Sequence, residues 1–300
     1  MKFDIYELSS DNTIKVILTD KLIKALELSN IRKKELANKN NITYSTLWKW
    51  LFKRKSIPLI FFKNLKDFYK LDLSKYITHL EGYSDKKQIK IPKTLTEDLA
   101  KIIGAHIADG HLRARNTNWH KRRSIHYELV LREEYYSNVQ AFCNWFNNCF
   151  DYNLKPIKRK NHYEVYLSNK VISIFFNKIL EMPYGRKTET IRIPRYIRCS
   201  NKKIKIAVLQ GLMMFDGSVE RKTGYISLVS RSENLVKDSY ILLKEIGIEP
   251  DYINKKEDKY KRHRLIIRKK QKLKQGLVLF ETNTEKFVRL KNYLIKNSKV

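Results

Sequence analysis

Two short segments of the chain resemble each other, and each ends in an aspartate followed by a glycine. They are Leu99–Gly110 and Leu209–Gly217, and mostly apolar residues fill both. Each segment contains an earlier glycine, Gly104 or Gly211, at the same interval before its end. This pattern predicts two helices that pack closely at one glycine and end at the next, with one carboxylate at each C-terminal end.

The two carboxylates, Asp109 and Asp216, occupy electrostatically unfavourable positions. The C-terminal end of a helix is the negative pole of its dipole, which is a poor place for an acid. Two such acids that lie close together repel each other further unless a cation binds between them. The repeated segment therefore predicts a divalent metal site held by Asp109 and Asp216.

The charge of the chain indicates what such a site acts on. The sequence has 62 Lys+Arg against 31 Asp+Glu, a formal net charge of +31. A charge of this size destabilises a compact fold by self-repulsion, and nucleic acid is the polyanion expected to neutralise it. A solvated, lysine-rich surface is the alternative interpretation.

Other features indicate where the protein works. No apolar run reaches the ~18 residues that a membrane span needs, and the first residues do not resemble a signal peptide. The three cysteines show no zinc spacing and suggest free thiols in a reducing compartment. We therefore expect a cytoplasmic protein without a membrane partner.

Residues 1–80 predict a helix-turn-helix domain. Helices are expected over 21–28 and 31–39, followed by a turn at Asn40-Asn41, a third helix capped by Thr43 or Ser45, and a fourth over 59–69. The segment Glu35–Trp50 resembles the helix-turn-helix of phage-repressor-type regulators, and a helical bundle without DNA contact is the alternative. The resemblance implies an all-α domain whose recognition helix presents these residues to DNA: Tyr44, Ser45, Thr46, Trp48 and Lys49.

The remaining chain contains an internal duplication. Polar residues 81–95 are expected to be a linker, 96–185 a first repeat, 186–203 a connector and 204–300 a second repeat. Each repeat is predicted to run helix, hairpin, helix, hairpin, helix, and the order recurs after each Asp-Gly. Four basic segments are expected to be loops that contact phosphates: His111–Arg115, Lys121–Arg123, Lys255-Lys256 and Lys259–Arg262.

From about residue 96 to 298 the chain resembles a two-repeat LAGLIDADG protein, the homing endonuclease family. Ile193–Ile197 followed by Leu209-Gln210-Gly211 is similar to the approach to the second motif in archaeal and intein-borne members. The resemblance implies an α+β fold of two pseudo-symmetric αββαββα repeats in a monomer. The two motif helices would pack at the centre, and two four-stranded antiparallel sheets would form a saddle over the DNA major groove.

The resemblance also implies an activity. Asp109 and Asp216 would hold Mg²⁺ or another divalent cation, and the protein would be a site-specific endonuclease that cuts double-stranded DNA. Two alternatives stay open at this point. One is a transcriptional regulator that keeps this fold for binding without cleavage, and the other is an RNA maturase.

Active members of the family place a basic or amide residue just after the first hairpin of each half. The second half offers Arg231 there, and we predict that Arg231 is catalytic together with the two aspartates. The first half reads Arg132-Glu133-Glu134, so that either an acid lies near the phosphate or Arg132 serves. Strand alternation turns Arg264 and Arg268 towards DNA, and Arg113 and Arg115 are predicted to contact DNA from the basic loop over His111–Arg115.

Overall fold

The computed structural model describes residues 1–29, 31–52, 55–82, 87–119, 122–250, 252–254 and 262–297. The chain divides into two units. The N-terminal unit comprises Lys2–Lys93 together with Asn169–Ile179, and the second unit comprises Met1, Thr94–Ser168 and Leu180–Val300. No helix among the described residues has both the length and the apolar character that crossing a membrane requires.

The four helices expected in the N-terminal unit are present. They are α1 (Asp20–Glu27), α2 (Lys33–Lys39), α3 (Tyr44–Phe52) and α4 (Leu59–Tyr69), and short 3₁₀ helices cover Ile5–Ser10 and Ser74–Tyr76. The Thr43 hydroxyl accepts a hydrogen bond from the Thr46 N–H at 3.1 Å and so caps α3. Asn41 adopts a left-handed conformation with φ 52°, which makes the turn between α2 and α3.

The prediction of an all-α N-terminal domain is wrong, because this unit also contains a small antiparallel sheet. Its strands are β1 (Lys15–Val16), β2 (Ile57–Pro58), β3 (His79–Glu81) and β4 (Ile89–Lys90), in the order β2-β1-β3-β4. β4 lies inside the expected linker over 81–95 and pairs with β3. Strands of two or three residues are too short to show an alternating pattern, so only their tertiary pairing reveals them.

Two series of elements follow in the same order. The first contains α5 (Glu97–Ala108), β5 (Gly110–Trp119), β6 (Arg122–Glu133), α6 (Tyr136–Phe150), β7 (Ile157–Lys158), β8 (Tyr163–Leu167) and α7 (Lys170–Ile174), which continues as a π-helix over Phe175–Ile179. The second, after α8 (Arg195–Arg198) in the connector, contains α9 (Lys202–Phe215), β9 (Gly217–Val219), β10 (Ile226–Ser230), α10 (Glu233–Glu245), β11 (Tyr252–Asn254), β12 (His263–Ile267), α11 (Lys270–Gln275), a 3₁₀ helix (Gly276–Leu279) and α12 (Glu285–Lys296). The duplication expected from the sequence is confirmed.

Each repeat forms a four-stranded antiparallel sheet with the same strand order. The first sheet is β5-β6-β8-β7 and the second is β9-β10-β12-β11. The buried faces carry aliphatic side chains such as Leu129, Leu131, Leu228 and Leu265. The expected α+β fold of two antiparallel, pseudo-symmetric repeats is therefore confirmed.

Two predicted loops in the first repeat lie in strands, and in one of them, Lys121–Arg123, the residues Arg122 and Arg123 begin β6. The sequence predicts a basic loop over His111–Arg115, yet this segment lies within the ten-residue strand β5. Only Leu112 in this segment is buried, so the hydrophobic alternation that marks a strand is almost absent. Pairing with β6 along its whole length supplies the order that the local sequence does not show.

The motif helices α5 and α9 cross at the two expected glycines. A Cβ atom on Gly104 would lie 2.1 Å from the Val208 carbonyl oxygen, and one on Gly211 would lie 2.0 Å from that of Lys101. Backbone therefore touches backbone at the crossing, and no side chain fits between the helices. The close packing predicted from the repeated glycines is confirmed.

The connector is fastened to α10 by a buried carboxylate, which gives a stability prediction. Asp238 accepts hydrogen bonds from Arg192 Nη2 at 3.0 Å, Arg192 Nε at 3.2 Å and the Ile193 N–H at 3.2 Å. Asp238→Ala is expected to lower the free energy of unfolding by about 2–4 kcal/mol, measured in urea, because it leaves these donors without their partner. Glu245→Ala, which breaks a more exposed pair with Lys205, is the control and should cost at most about 1 kcal/mol. Equal losses would contradict the prediction.

Candidate metal and DNA site

Each aspartate of the repeated segment is the residue that directly follows a motif helix. The Asp109 N–H donates to the Ala105 carbonyl at 3.1 Å, and the Asp216 N–H donates to the Leu212 carbonyl at 2.9 Å. Because α5 and α9 cross at their glycines, the two C-terminal ends lie together. The charge of Asp216 acts on Asp109, and the charge of one lysine, Lys187, acts on both. We call Asp109 and Asp216 the aspartate pair.

The aspartate pair holds its protons more tightly than ordinary carboxylates. Burial, with the charges of Asp216 and Glu133, raises the pKa of Asp109 to about 7. Burial and Glu133 raise the pKa of Asp216 to about 6, although Lys187 and Lys286 oppose this change. A bound cation would favour the ionised forms that burial and mutual repulsion disfavour. The raised pKa values are therefore compatible with a bound cation.

Lys187, in the connector, caps the first motif helix. Its ammonium group donates to the carbonyls of Ile107 at 2.7 Å and Ala108 at 3.4 Å, and also to that of His106. These carbonyls carry the negative pole of the helix dipole, which the ammonium charge offsets. Burial lowers the pKa of Lys187 to about 8, although the two aspartates oppose this change.

Lys286, near the start of α12, makes the same arrangement in the second repeat. Its ammonium group donates to the carbonyls of Met214 at 2.7 Å and Phe215 at 3.0 Å at the end of α9. Neither lysine is among the site residues predicted from the sequence. A signal existed for Lys286, because it precedes the buried Leu290 by one helical turn, where the period predicts an apolar residue. Lys187 lies in the irregular connector, where no periodicity singles it out.

The structure places Arg132 and Glu133 on opposite faces of β6. Arg132 Nε donates to Glu164 Oε2 at 3.4 Å on the exposed face of the sheet. The charge of Glu133 raises the pKa of both aspartates, so this acid lies on the side of the aspartate pair. The first repeat therefore has an acid near the pair. In the second repeat, Arg231 and Asp216 line one cavity.

The residues present suit a hard divalent cation such as Mg²⁺. Both members of the pair offer carboxylate oxygens, the ligands that this ion prefers. Within the described ranges, no three His, Cys, Asp or Glu side chains are grouped so that they could hold one ion. Mg²⁺ commonly takes one or two carboxylates and completes its shell with water and substrate phosphates. The pair fits a site of this kind, which is shared with a phosphate-bearing ligand.

The predicted DNA contacts fall on exposed surfaces. Arg113 and Arg115 lie on the exposed face of β5, Arg264 lies on that of β12, and Arg268 directly follows β12. On α3, Tyr44, Ser45, Trp48 and Lys49 are exposed, whereas Thr46 is half-buried and bonded to Thr43. Lys121 and the segment 255–261 lie outside the described residues, so their predicted phosphate contacts stay predictions.

One protein-family model matches a segment of the second repeat. Residues 203–275 fit the model of the LAGLIDADG-like domain. This segment therefore resembles a LAGLIDADG-like domain. The match covers the second motif helix, Asp216 and the strands β9–β12, and the first repeat has the same order of elements. The matched residues do not include residues 1–80, so the helix-turn-helix interpretation of that segment stays a prediction.

Two curated proteins are similar over part of the chain. A component of the A-type ATP synthase of Pyrococcus abyssi is 29% identical over 162 residues, which is 54% of this chain and 15% of that protein. The glutamine–fructose-6-phosphate aminotransferase of Methanocaldococcus jannaschii is 25% identical over 189 residues, 61% of this chain and 16% of that protein. The chain thus spans less than a fifth of either relative's length, and the two relatives bear unrelated names.

Among solved structures, the chain is similar to the homing endonuclease I-DmoI. The superposition has a TM-score of 0.48 at 18% sequence identity and covers 61% of this chain and 94% of the other. I-DmoI has also been solved in complex with DNA and Mn, and with DNA and Ca. The DNA and the metal ions in those structures are ligands of I-DmoI.

Proposed function

We propose that the protein is a site-specific, divalent-metal-dependent endonuclease that cuts double-stranded DNA. The observation that carries the proposal is the aspartate pair, in which two partly buried carboxylates with raised pKa lie at the ends of two adjacent, duplicated helices. A protein that only binds DNA gains nothing from crowding two acids in this way. The net charge of +31 supports a polyanionic substrate.

Each residue of the site has a role in the proposal. Asp109 and Asp216 hold the cation, which when bound lowers the pKa of water and stabilises the leaving oxygen of a phosphodiester. Lys187 and Lys286 fix the carbonyl ends of the motif helices, which keeps the two carboxylates in place. Arg231 is placed to neutralise a phosphate oxygen near Asp216. Because each repeat supplies one aspartate of the pair, each repeat can serve one strand of the duplex.

One observation favours a different function. Glu133 lies near the aspartate pair in the first repeat, where its negative charge would repel a phosphate. A transcriptional regulator that binds without cutting tolerates this acid, whereas an endonuclease must overcome it. We retain the regulator as the second candidate.

Incubating the purified protein with Mg²⁺ and a randomised duplex library separates the two candidates. An endonuclease is expected to give discrete new ends that sequencing places at one motif, and EDTA is expected to prevent them. A protein that retains duplexes of one sequence on a filter, yet produces no ends with Mg²⁺ or Mn²⁺, would instead be the regulator. A protein that neither binds nor cuts any duplex in the library would contradict both candidates.

The sheets predict a steep dependence of DNA affinity on salt. If about 6–10 phosphates are neutralised, log K should fall against log salt with a slope of roughly −5 to −9. Fluorescence anisotropy with a labelled duplex between low and moderate salt measures this slope. A slope shallower than about −2 would mean that most of the positive charge faces solvent away from DNA.

The N-terminal unit gives a separate prediction. If α3 is a recognition helix, Ser45→Ala combined with Lys49→Ala should shorten the protected footprint and weaken binding by about tenfold, while the cut position stays unchanged. Substitution is preferable to deletion, because Asn169–Ile179 belongs to the same unit and would lose its packing. Lys63→Ala on α4 removes another exposed cation and is the control. An unchanged footprint would contradict DNA binding by α3.

A further inference from the structure

The exposed face of the first sheet contains two nearly buried acids among basic side chains. In an antiparallel sheet, directly opposed residues share a face. Arg113 is opposite Glu128, and Arg132 is opposite Glu164. These four residues lie on the face away from the core, yet Glu128 is only 8% exposed and Glu164 only 5%. We call this surface the arginine face.

Glu128 lies between two arginines. Arg113 Nη1 is 3.6 Å and Arg115 Nη2 is 3.8 Å from Glu128 Oε2. The Tyr166 hydroxyl donates to Glu128 Oε1 at 3.0 Å and fixes the carboxylate from the neighbouring strand. Oε2 is buried and accepts no hydrogen bond from the described residues. The two guanidinium groups therefore interact with Oε2 by charge, and among the described residues no hydrogen bond to Oε2 occupies their N–H groups.

Glu164 makes a second cluster of the same kind. Arg159 Nε donates to Glu164 Oε1 at 2.7 Å, and Arg132 Nε donates to Oε2 at 3.4 Å. Burial alone would raise the pKa of Glu164, but Arg159 and Arg132 lower it below its usual range. The acid is therefore ionised, and each of its oxygens holds one arginine. A guanidinium has five N–H donors, so both arginines keep donors beyond those that this carboxylate uses.

The acids lie beneath and the arginines lie above them. The Arg115, Arg132 and Arg159 side chains are 56%, 59% and 51% exposed, whereas those of Glu128 and Glu164 are 11% and 7% exposed. A carboxylate on a surface that binds DNA weakens phosphate binding, and its burial costs desolvation energy. Each acid restricts where the neighbouring guanidinium groups lie, and a restricted planar fork favours one partner geometry.

The second sheet lacks this device in the part of it that the structure describes. On its corresponding face lie Ser218, Ser227, Val229, Arg264 and Ile266, and none of its described strands contains an acidic residue. The Ser218 and Ser227 hydroxyls are hydrogen-bonded to each other at 2.8 Å. The two repeats thus share their fold and differ in the chemistry of their exposed faces.

We propose that Glu128 and Glu164 are positioning residues that make the arginine face a guanine-reading surface. Arginine recognises the O6 and N7 acceptors of guanine in the major groove, and a guanidinium that is already oriented loses less entropy on binding. The half of the target that contacts the first repeat is therefore rich in guanine. This inference rests on the proposed binding of a specific duplex.

Selection from a randomised duplex pool in EDTA tests the inference by binding alone, without cleavage. Wild-type protein is expected to enrich guanine at two or more positions in one half of the selected site. Glu128→Gln keeps the size and removes the charge, so it should reduce discrimination at some of these positions by about tenfold. Glu164→Gln should reduce discrimination at different positions, Arg113→Lys should affect the same ones as Glu128→Gln, and Glu128→Asp should retain part of the preference.

A second measurement separates positioning from a merely structural role. Glu128→Gln should bind a duplex without those guanines at least as tightly as wild type does, because a negative charge has been removed. A structural role would instead weaken binding to every duplex and lower the melting temperature. Glu249→Gln removes an exposed charge elsewhere and is the control. It should change neither the guanine preference nor the affinity for the duplex without those guanines.

Two results would overturn this inference while leaving the proposed endonuclease intact. One is a guanine enrichment that survives Glu128→Gln, and the other is a selected site with no guanine enrichment in either half. A pool that shows no sequence preference at all would contradict the proposed specific binding, and the inference would fall with it. If Glu128→Gln loses the guanine preference and the wild-type protein never cuts DNA, the result would support the inference and contradict the endonuclease.

Discussion

Asp109→Asn and Asp216→Asn are each expected to lower double-strand cleavage by about 10³-fold or more, with DNA affinity unchanged. Each change removes a negative ligand of the cation, and the cation is expected to contribute several kcal/mol to the transition state. Gel assays on a target duplex with Mg²⁺ measure the cleavage rate, and filter binding in EDTA measures the affinity. Asp151→Asn, an exposed aspartate beyond α6, is the control. Wild-type cleavage by either site variant would refute the metal assignment.

The same variants are expected to change stability in a pH-dependent way. The pKa of Asp109 is about 7 in the folded protein and that of Asp216 about 6, against an ordinary aspartate pKa of 3.8. The folded state then binds more protons than the unfolded state between about pH 4 and 7, so the metal-free protein loses stability as pH rises through this range.

An asparagine at either position removes the share of this loss that comes from that aspartate. In EDTA, Asp109→Asn should therefore melt at a higher temperature than wild type at pH 8, and the difference should shrink towards pH 5. Mg²⁺ should stabilise wild type more than the variant, because only wild type keeps both carboxylate ligands. Equal melting temperatures at pH 8 in EDTA would contradict the electrostatics assigned to the pair.

Gly104→Ala is expected to lower the free energy of unfolding by about 3 kcal/mol or more. The new methyl group would lie 2.1 Å from the Val208 carbonyl oxygen, and a backbone atom cannot move aside as a side chain can, so the helices must separate. Urea denaturation measures the loss. Gly211→Ala should behave alike, because its Cβ would lie 2.0 Å from the Lys101 carbonyl oxygen.

The matched control is Gly247→Ala. This glycine has φ +93° and no neighbouring atom within 4 Å of the position that a Cβ would take, so only backbone strain of about 1–2 kcal/mol is expected. Because the aspartate pair depends on the crossing of α5 and α9, Gly104→Ala should also reduce cleavage, and Gly247→Ala should not. Equal stability of the two variants would show that the crossing accommodates a methyl group.

Local signals in the sequence determined the centre of the molecule. The glycines at a fixed interval and the terminal Asp-Gly were sufficient to predict the two motif helices, their close crossing and the meeting of Asp109 with Asp216. Helical periodicity and backbone sterics act over a few residues, so they can be read directly from the chain. The duplication then supplied the order of strands and helices in both repeats.

Only the tertiary structure decided what depends on residues distant in sequence. β5 looked like a basic loop until its pairing with β6 was known, and the two-residue strands of the N-terminal unit carry no pattern of their own. Lys187 donates to helix carbonyls about 80 residues earlier in the chain, and Lys286 to carbonyls about 70 residues earlier. For the segment Arg132-Glu133-Glu134, only the packing of β6 shows that Glu133, and not Arg132, lies on the side of the aspartate pair. Electrostatic and backbone contacts of this kind are set by the packing of whole elements, and they leave no periodic trace in the sequence.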